Sequence, residues 1–385
     1  MTNAVYMDAN ATMPPCAAAL AAMEAALRTP GNPSSVHRFG RAARAHIDRA
    51  REQVARLIGA EAQDVIFVSS GTEANNLALA SHRGRPLILS GIEHPSVSKM
   101  ADPAAGTGGF LVHAVLRTLR SGQVDLDYLA EALRTASGPA LVSIMLANNE
   151  TGVIQPVRAA ADLVHAAGGL LHCDATQAPG RLPIAMSALG ADLLTLSAHK
   201  MGGVLGAGAL VARSHVAVRP LLIGGGQEKF RRAGTENVPA IAAFGAAAAA
   251  AKACAGMQRV AALRDRLEAR LRGIGAFTVL GADAPRLPNT TCVAVAGKSS
   301  ETMVMALDLS GYAISAGAAC SSGKVRPSHV AGAMGYEDAV AKSAIRVSLG
   351  PWNSEAEIDG LAARMIELAN GTSVGGKVSN LQPAA

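Results

Sequence analysis

The chain passes from an apolar run into a helical pattern within one stretch, Val65-Ile-Phe-Val68-Ser-Ser-Gly71-Thr72-Glu-Ala-Asn-Asn-Leu-Ala-Leu-Ala80. Its first four residues are all β-branched or aromatic, which predicts a buried strand. Residues 72–80 predict a helix that begins after a turn of two serines and a glycine. A strand that leads through a short turn into a helix is the first half of a crossover unit in a parallel sheet.

The same alternation continues on both sides of this stretch, across the first two thirds of the chain. Helices are predicted at residues 125–134 and 157–167, and further strands at residues 86–89, 141–146, 169–173, 191–196 and 205–211. The pattern predicts an α/β fold with a mostly parallel sheet that carries helices on both faces. Ligands of such sheets bind at the carboxyl ends of the strands, so the polar residues after each run are the first candidates for function.

A second, smaller unit is predicted after about residue 255. Two consecutive helical segments, at residues 239–253 and 260–272, end the alternating part. A small α+β unit is predicted from residues 289–295, 301–309, 313–315 and 344–349. We therefore expect the chain to have four parts. They are an N-terminal arm that packs with the small domain (residues 1–15), a large ligand-binding domain (16–255), a small domain (256–370) and a flexible tail (371–385).

The composition excludes several classes of protein. Of the 385 residues, 50% are hydrophobic, 17% charged and 3% aromatic, which is typical of a soluble globular protein with an aliphatic core. The longest apolar stretch, residues 241–251, is shorter than the roughly 20 residues that cross a bilayer, and no secretory signal is visible, so we expect a cytoplasmic protein. The net charge of +6 comes largely from scattered arginines, and no direct binding to nucleic acid or membrane is expected.

The cysteines lie far apart in the sequence. There are five, with no C-x-x-C spacing: Cys16, Cys173, Cys254, Cys292 and Cys320. Neither a disulfide framework nor a zinc site is predicted from this pattern.

Three strand ends carry residues that together could hold one cofactor. Gly71 and Thr72 open a helix whose first backbone N–H groups could bind a phosphate. Lys200 follows a predicted strand and precedes two glycines, where burial would lower its pKa and prepare the amine for a Schiff base. Asp174 ends another strand and could pair with a protonated pyridine nitrogen.

Each of these residues also has an ordinary explanation, as a helix cap, a surface lysine or a capping carboxylate. Their coincidence favours pyridoxal phosphate, which needs an anchor, a Schiff base and a pyridinium partner. His94 follows another strand and could stack on a planar ring and move protons. Asn149 could donate to the phenolic oxygen of the ring, although both residues could instead cap loops.

Ten motifs occur in order between residue 6 and about residue 350. They are Tyr6-Met-Asp8-Ala-Asn10-Ala-Thr12, Gly31-Asn32-Pro-Ser-Ser-Val-His37, Ser70-Gly-Thr72-Glu73, Glu93-His94, Asn149-Glu-Thr-Gly152, Asp174-Ala-Thr-Gln177, Ser197-Ala-His199-Lys200, Arg232-Ala-Gly-Thr235-Glu-Asn237, Ala319-Cys320-Ser-Ser-Gly323 and Ile345-Arg346-Val-Ser-Leu-Gly350. In this order and spacing the chain resembles the cysteine desulfurases of the NifS/IscS type, pyridoxal-phosphate-dependent enzymes of the class V aminotransferase family. The resemblance implies the PLP-dependent transferase fold (fold type I), with a mostly parallel seven-stranded sheet in the large domain and a smaller α+β C-terminal domain.

The resemblance implies roles for the residues around the cofactor ring. Lys200 would carry pyridoxal 5'-phosphate, Asp174 would pair with the ring nitrogen, and His94 would stack on the ring and take part in catalysis. Gln177 and Asn149 would lie near the phenolic oxygen.

Further residues are implied at the phosphate end of the cofactor. Gly71, Thr72, Ser197 and His199 would bind the phosphate. Thr235 would reach the phosphate of the other subunit, so a homodimer with shared sites is implied.

The resemblance also implies how substrate is bound and where sulfur goes. Asn32 and Arg346 would hold the substrate carboxylate, a task suited to the guanidinium fork. Cys320 would be the nucleophile, with Lys324 and Arg326 favouring its thiolate. It would take sulfur from L-cysteine as a persulfide, leave L-alanine, and pass the sulfur to an iron–sulfur cluster scaffold or another acceptor protein. The only metal contact implied for Cys320 runs through that persulfide, to a cluster shared with the scaffold.

Three alternatives remain open. Another PLP-dependent aminotransferase on the same fold would keep Lys200 and Asp174 but would have no use for Cys320. A selenocysteine lyase would use the same site. A basic binding module without chemistry would leave the polar residues at the strand ends unexplained.

Overall fold

A computed structural model of the protein describes residues 4–102, 110–317 and 327–371. The expected nucleophile Cys320, its neighbours Lys324 and Arg326, and the expected tail after Gly371 lie outside the described residues.

The described residues form strands and helices that alternate through most of the chain. The strands are β1 (Val5–Tyr6), β2 (Val65–Val68), β3 (Pro86–Ser90), β4 (Leu111–Leu116), β5 (Leu141–Ser143), β6 (Leu170–Asp174), β7 (Leu193–Ser197), β8 (Gly208–Ala212), β9 (Phe277–Val279), β10 (Thr290–Val295), β11 (Tyr312–Ala313), β12 (Ser315–Ala316) and β13 (Ala344–Ser348). The helices are α1 (Ala17–Leu27), α2 (Arg38–Ile58), α3 (Gly71–Ala80), α4 (Pro95–Ser98), α5 (Leu126–Thr135), α6 (Val157–Ala166), α7 (Met186–Leu189), α8 (Val238–Ala251), α9 (Met257–Leu271), α10 (Ser300–Leu309), α11 (His329–Ala333), α12 (Asp338–Ser343) and α13 (Glu355–Ala369).

The predicted α/β fold is confirmed by a seven-stranded sheet in the order β2-β8-β7-β6-β5-β3-β4. Strands β4, β3, β5, β6 and β7 are parallel to one another, and only β8 runs against its two neighbours. The central strands are buried along their length, which explains why the sequence shows continuous apolar runs here and not an alternating pattern.

The C-terminal part forms a separate antiparallel sheet in the order β12-β13-β10-β9. The N-terminal residues pack on this part of the molecule, since β1 pairs in parallel with β11 and Asp8 bridges to Ser348. Met7 is fully buried in the same apolar cluster as Val260 and Ile345.

The two helical segments predicted at residues 239–253 and 260–272 are present as two separate helices. α8 ends at Ala251 and α9 begins at Met257. Between them Cys254 has φ +45° and Gly256 φ +77°, and left-handed residues cannot continue a right-handed helix.

The alanine-rich α8 packs closely against α1 and α2 at the centre of the large cluster. A Cβ at Gly245 would lie 2.4 Å from the Cα of Ala50, so the small side chains allow α2 to approach α8. Within the described residues, no helix is both long enough and apolar enough to cross a bilayer.

Candidate active site

A cavity of about 370 Å³ lies at the carboxyl ends of the central strands. This volume falls in the range of small-molecule and cofactor sites. The cavity brings together the expected site residues Gly71, Thr72, His94, Asn149, Asp174, Gln177, Ser197, His199, Lys200 and Arg346. It is also lined by residues that the sequence analysis did not assign to a site, among them Asn10, Asn75, Ser96 and Thr176.

Lys200 lies in a 3-10 turn, Ala198–Lys200, directly after β7. Its Nζ donates to the backbone oxygens of Asn10 at 2.6 Å and Ala11 at 2.9 Å. Burial, followed by the charges of Arg346 and Arg181, lowers the pKa of the Lys200 amine to about 8. A substantial fraction of the amine is therefore neutral near physiological pH, as a nucleophile toward an aldehyde must be.

Asp174 is the last residue of β6 and is buried. Its Oδ1 accepts from the backbone N–H of Thr176 at 2.9 Å, and its Oδ2 accepts from Nδ2 of Asn75 at 2.8 Å. Hydrogen bonds from neutral donors hold this carboxylate in place without an ion pair. It can therefore attract a protonated ring nitrogen in the cavity.

The N-terminus of α3 faces the same cavity. Ser70 caps the helix by accepting from the backbone N–H of Glu73 at 3.2 Å, while Gly71 and Thr72 are the first helical residues. The N–H groups of such residues have no partner within the helix, and they carry the positive end of its dipole. A Cβ at Gly71 would lie 3.3 Å from Ser197 Cβ, so the glycine keeps this end of the cavity open. These features fit a phosphate group.

His199 also lines the cavity. Its Nδ1 lies 3.1 Å from the hydroxyl of Thr12. Burial, followed by the charge of Lys200, lowers the pKa of His199 to about 4, so its ring is neutral at pH 7.

Arg346, in β13, reaches the cavity from the C-terminal sheet and is buried. One terminal nitrogen donates to Asp8 Oδ1 at 2.6 Å and the other to the backbone oxygen of Asn149 at 3.0 Å. Its Nε is buried with no hydrogen-bond partner, as is Oε1 of Gln177. Since buried polar groups are normally paired, these two atoms fit a polar ligand in the cavity.

His94 is the N-cap residue of α4, and its ring opens onto the cavity. The His94 side chain is exposed to solvent, but protein atoms surround it densely, and this burial lowers the pKa of its ring. The charge of Asp174 raises that pKa, and the charges of Lys200 and His329 lower it.

Two expected site residues do not line this cavity. Asn32 and Thr235 are exposed and lie together at a separate surface groove of about 450 Å³. The side-chain oxygen of Asn32 accepts from the backbone N–H of Ser34 at 2.9 Å. Within one chain, therefore, the two residues are not placed to contact a ligand that is held by Lys200.

Four cysteines fall within the described residues, and all are free thiols: Cys16, Cys173, Cys254 and Cys292. In the same part of the chain, no group of three or more His, Cys, Asp or Glu side chains is arranged to hold a metal ion.

Asn10 and Asn75 are the clearest omissions of the sequence analysis. Asn75 lies one helical turn after Gly71, so the helical period could have placed it on the cavity side of α3. No local pattern could have predicted the contact between Asn10 and Lys200, because 190 residues separate them.

The chain matches known proteins over most of its length. A model of the aminotransferase class-V family matches residues 5–361. A cysteine desulfurase of Cereibacter sphaeroides is 44% identical over 367 residues, which cover 93% of each chain, and one of Gluconacetobacter diazotrophicus is 40% identical over 95% of each. A solved structure of a NifS-like protein from Rickettsia africae superposes with a TM-score of 0.88 at 33% identity, covering 95% of this chain and 99% of that one. The chain therefore belongs to the class-V aminotransferase family and, within it, to the cysteine desulfurases, which depend on pyridoxal phosphate.

Proposed function

We propose that the protein is a cysteine desulfurase and sulfurtransferase that converts L-cysteine into L-alanine and leaves the sulfur as a persulfide on Cys320. The observation that carries the proposal is the single cavity in which Lys200, Asp174 and Arg346 meet the open N-terminus of α3. Lys200 supplies the amine, Asp174 the carboxylate that faces the ring nitrogen, and Arg346 the site for the substrate carboxylate. The start of α3 supplies the phosphate site. A pyridoxal-phosphate enzyme that acts on an amino acid requires all four. The similarity to cysteine desulfurases over 93% of the chain supports the choice of substrate.

The residues of the cavity would share the task of holding the cofactor. Lys200 would bind it covalently, Asp174 would face the ring nitrogen and His94 the ring. Asn149 and Gln177 would lie at the phenolic oxygen. Pyridoxal phosphate, when bound, supplies a sink for the electron pair released when the substrate Cα–H bond breaks.

The phosphate would lie at the start of α3. Backbone N–H groups of Gly71 and Thr72 would donate to it, together with the side chains of Ser197 and His199. Because His199 is neutral at pH 7, it would contribute a hydrogen bond and no charge.

Arg346 would bind the substrate carboxylate and Lys200 would handle protons. The guanidinium is already held by Asp8 and Asn149, so it is oriented before substrate arrives. An amine with a pKa of about 8 can accept the Cα proton in its neutral form and return it as an ammonium.

Cys320 would carry out the sulfur step. Its thiolate attacks the substrate Sγ, a sulfur–sulfur bond forms, and the Cβ–Sγ bond breaks. The electron pair of the broken bond stays on the carbon skeleton, which takes up a proton and leaves as alanine. The two sulfur atoms of the new bond together lose two electrons, and the carbon skeleton gains them, so no outside oxidant is needed.

The surface around Thr235 supports a homodimer in which each subunit completes the other's site. Val36 and Phe230, which lie close in sequence to Asn32 and Thr235, are 89% and 73% exposed, and a second subunit could cover them. Glu228, Lys229 and Phe230 have φ of 46°, 57° and 63°, a conformation that costs about 1–3 kcal/mol for each non-glycine residue. Strain held on an exposed apolar surface is typical of a functional segment. In the dimer, Thr235 and Asn32 would approach the neighbouring cavity.

The persulfide sulfur would then pass to an iron–sulfur cluster scaffold or another acceptor protein. The iron of a cluster would contact Cys320 only during that transfer.

The decisive assay supplies L-cysteine and a reducing thiol without a keto acid. We expect L-alanine and sulfide in equal amounts over many turnovers. An aminotransferase would stop after one turnover without a keto acid, and this result would reject the proposal. The same assay with L-selenocysteine distinguishes the two substrates, since a selenocysteine lyase would release selenide but leave L-cysteine unchanged.

A further inference from the structure

A chain of hydrogen bonds links two expected site residues through two side chains that the proposed reaction does not use. Nδ2 of Asn75, in α3, donates to Asp174 Oδ2 and to the hydroxyl of Ser96, both at 2.8 Å. The Ser96 hydroxyl in turn lies 2.8 Å from Nδ1 of His94. Asn75 and Ser96 are buried, at 1% and 8% exposure, so water does not compete for these contacts.

The contact with Asp174 fixes the orientation of the Asn75 amide. A carboxylate oxygen accepts only, so the group that Asn75 turns toward Asp174 must be its NH₂. The opposite amide orientation would set two oxygens against each other. Since both hydrogens of Nδ2 are then used, the Ser96 oxygen accepts one of them and keeps its own hydrogen for His94.

A second donor reaches the same ring nitrogen. The backbone N–H of Ser96 donates to His94 Nδ1 at 3.1 Å. A proton on Nδ1 would therefore point at an N–H group and at a hydroxyl that has its hydrogen to give. Nδ1 must accept, and the ring proton must be on Nε2.

We propose that Asn75 and Ser96 are positioning residues that hold His94 as the neutral tautomer with its proton on Nε2. With Nδ1 occupied, the ring presents an N–H donor to the cavity and cannot accept a proton there. His94 would thus be a hydrogen-bond donor toward the bound ligand, and proton acceptance would fall to Lys200. Only the nature of that ligand rests on the proposed function, because the tautomer follows from the protein's own contacts.

The charged groups around the ring agree with a neutral imidazole. Burial lowers the pKa of His94, and the charges of Lys200 and His329 lower it further, against the opposing effect of Asp174. Ring protonation would also turn Nδ1 into a donor and set it against the backbone N–H of Ser96.

The test is ¹⁵N NMR of the full chain labelled in its histidine rings, recorded with pyridoxal phosphate bound and after its removal. The His94 signals are identified by their loss in His94→Gln. At pH 7.5 we expect a pyridine-like Nδ1 and a protonated Nε2, with one tautomer in about tenfold excess or more. Ser96→Ala should reduce this excess about fivefold, since one neutral hydrogen bond is lost. Asn75→Ala should reduce it too, because the NH₂ group of Asn75 favours the orientation in which the Ser96 hydroxyl donates to His94.

Asn76→Ala is the matched control. Asn76 donates to the backbone oxygen of Ser96 at 2.8 Å and takes no part in the chain to His94, so its loss should leave the ring signals unchanged. Thermal unfolding identifies variants that have lost their fold, and the wild-type spectrum alone already decides the tautomer. A proton on Nδ1 in the wild type, or unchanged ring signals in a folded Ser96→Ala, would overturn the proposal. No cysteine is present in the NMR experiment, so its result does not depend on the outcome of the desulfurase assay. Either proposal can therefore be rejected while the other holds.

Discussion

The environment of Lys200 distinguishes it from the other described lysines of the chain. It is the only lysine among the described residues that line the cavity, and burial, followed by the charges of two arginines, lowers its pKa. We predict that Lys200→Ala cannot hold pyridoxal phosphate covalently. Borohydride, which makes a lysine–aldehyde link permanent, should fix the cofactor on the wild-type peptide that contains Lys200 and on no peptide of the variant. An adduct on another lysine, with normal turnover, would show that Lys200 has been misassigned.

Arg346, which we expect to bind the substrate carboxylate, also donates to the carboxylate of Asp8. We predict that Arg346→Ala weakens L-cysteine binding by about 2 to 5 kcal/mol, because a buried charge pair with the substrate carboxylate is lost. The dependence of the initial rate on cysteine concentration measures the effect.

Asp8→Asn is the control for that measurement. It keeps an oxygen for the guanidinium to bind but removes the charge that competes with the substrate, so cysteine should bind equally well or more tightly. An unchanged concentration dependence in Arg346→Ala would remove Arg346 from the substrate site.

At the scale of elements, the strand β8 fixes where α3 begins. A Cβ on Gly208, the first residue of β8, would lie 2.5 Å from the carbonyl carbon of Ser70 and 2.9 Å from the nitrogen of Gly71. These are backbone atoms that cannot move without shifting the helix start. We predict that Gly208→Ala destabilises the protein by about 1–3 kcal/mol and weakens cofactor binding.

Denaturant unfolding and a cofactor titration measure the two effects. Gly138→Ala is the matched control, because Gly138 is exposed and an added Cβ would meet nothing within 4 Å. Equal behaviour of the two variants would contradict the role given to the β8–α3 contact.

The elements of the large sheet could be predicted because each depends on a local pattern. The strand β2 has the predicted bounds, and α3 begins one residue before its predicted start. The helices α8 and α9 correspond to the predicted segments 239–253 and 260–272, whereas the left-handed conformation of Cys254 between them leaves no signal in the sequence. The predicted run at residues 313–315 is divided between the two short strands β11 and β12, which pair with different partners.

The site could be predicted only in part, for a similar reason. Polar residues directly after apolar runs, such as Asp174 and Lys200, stand out in the sequence. Contacts such as that of Asn10 with Lys200, or of Asn75 with Ser96, join distant segments and carry no local mark.

At the scale of the whole molecule, buried carboxyl groups link stability to pH. Burial raises the pKa of Glu93 to about 8 and that of Glu150 to about 7. Between the ordinary value of 4.5 and these values, the folded protein binds more protons than the unfolded chain, so stability falls as pH rises. Burial lowers the pKa of His82 and His172 to about 4, and their contribution to stability rises with pH only up to about 6.5.

We therefore predict that the free energy of unfolding falls between about pH 6.5 and 8, and that Glu93→Gln flattens the fall by up to about 1.4 kcal/mol per pH unit. Glutamine keeps the oxygen that accepts from the backbone N–H of Met145 at 2.7 Å. Urea unfolding at several pH values measures the slope, and the exposed Glu131→Gln serves as the control. A Glu93→Gln curve parallel to the wild type would show that Glu93 does not retain its proton in the folded state.

Burial within the folded molecule excludes two cysteines as nucleophiles. Cys173 and Cys292 are fully enclosed, and burial raises the pKa of both thiols far above neutrality, so neither can supply a thiolate. Burial also raises the pKa of Cys254. Cys320 is the cysteine that we propose as the nucleophile.

The most direct test of the central claim maps the persulfide. The protein is mixed with L-cysteine, its thiols are alkylated, and its peptides are examined by mass spectrometry. We predict one extra sulfur atom on the Cys320 peptide, and none on any peptide of Cys320→Ser, which should still bind L-cysteine and change the absorbance of the cofactor. An extra sulfur on Cys173 or Cys292, or undiminished alanine formation by Cys320→Ser, would contradict the claim.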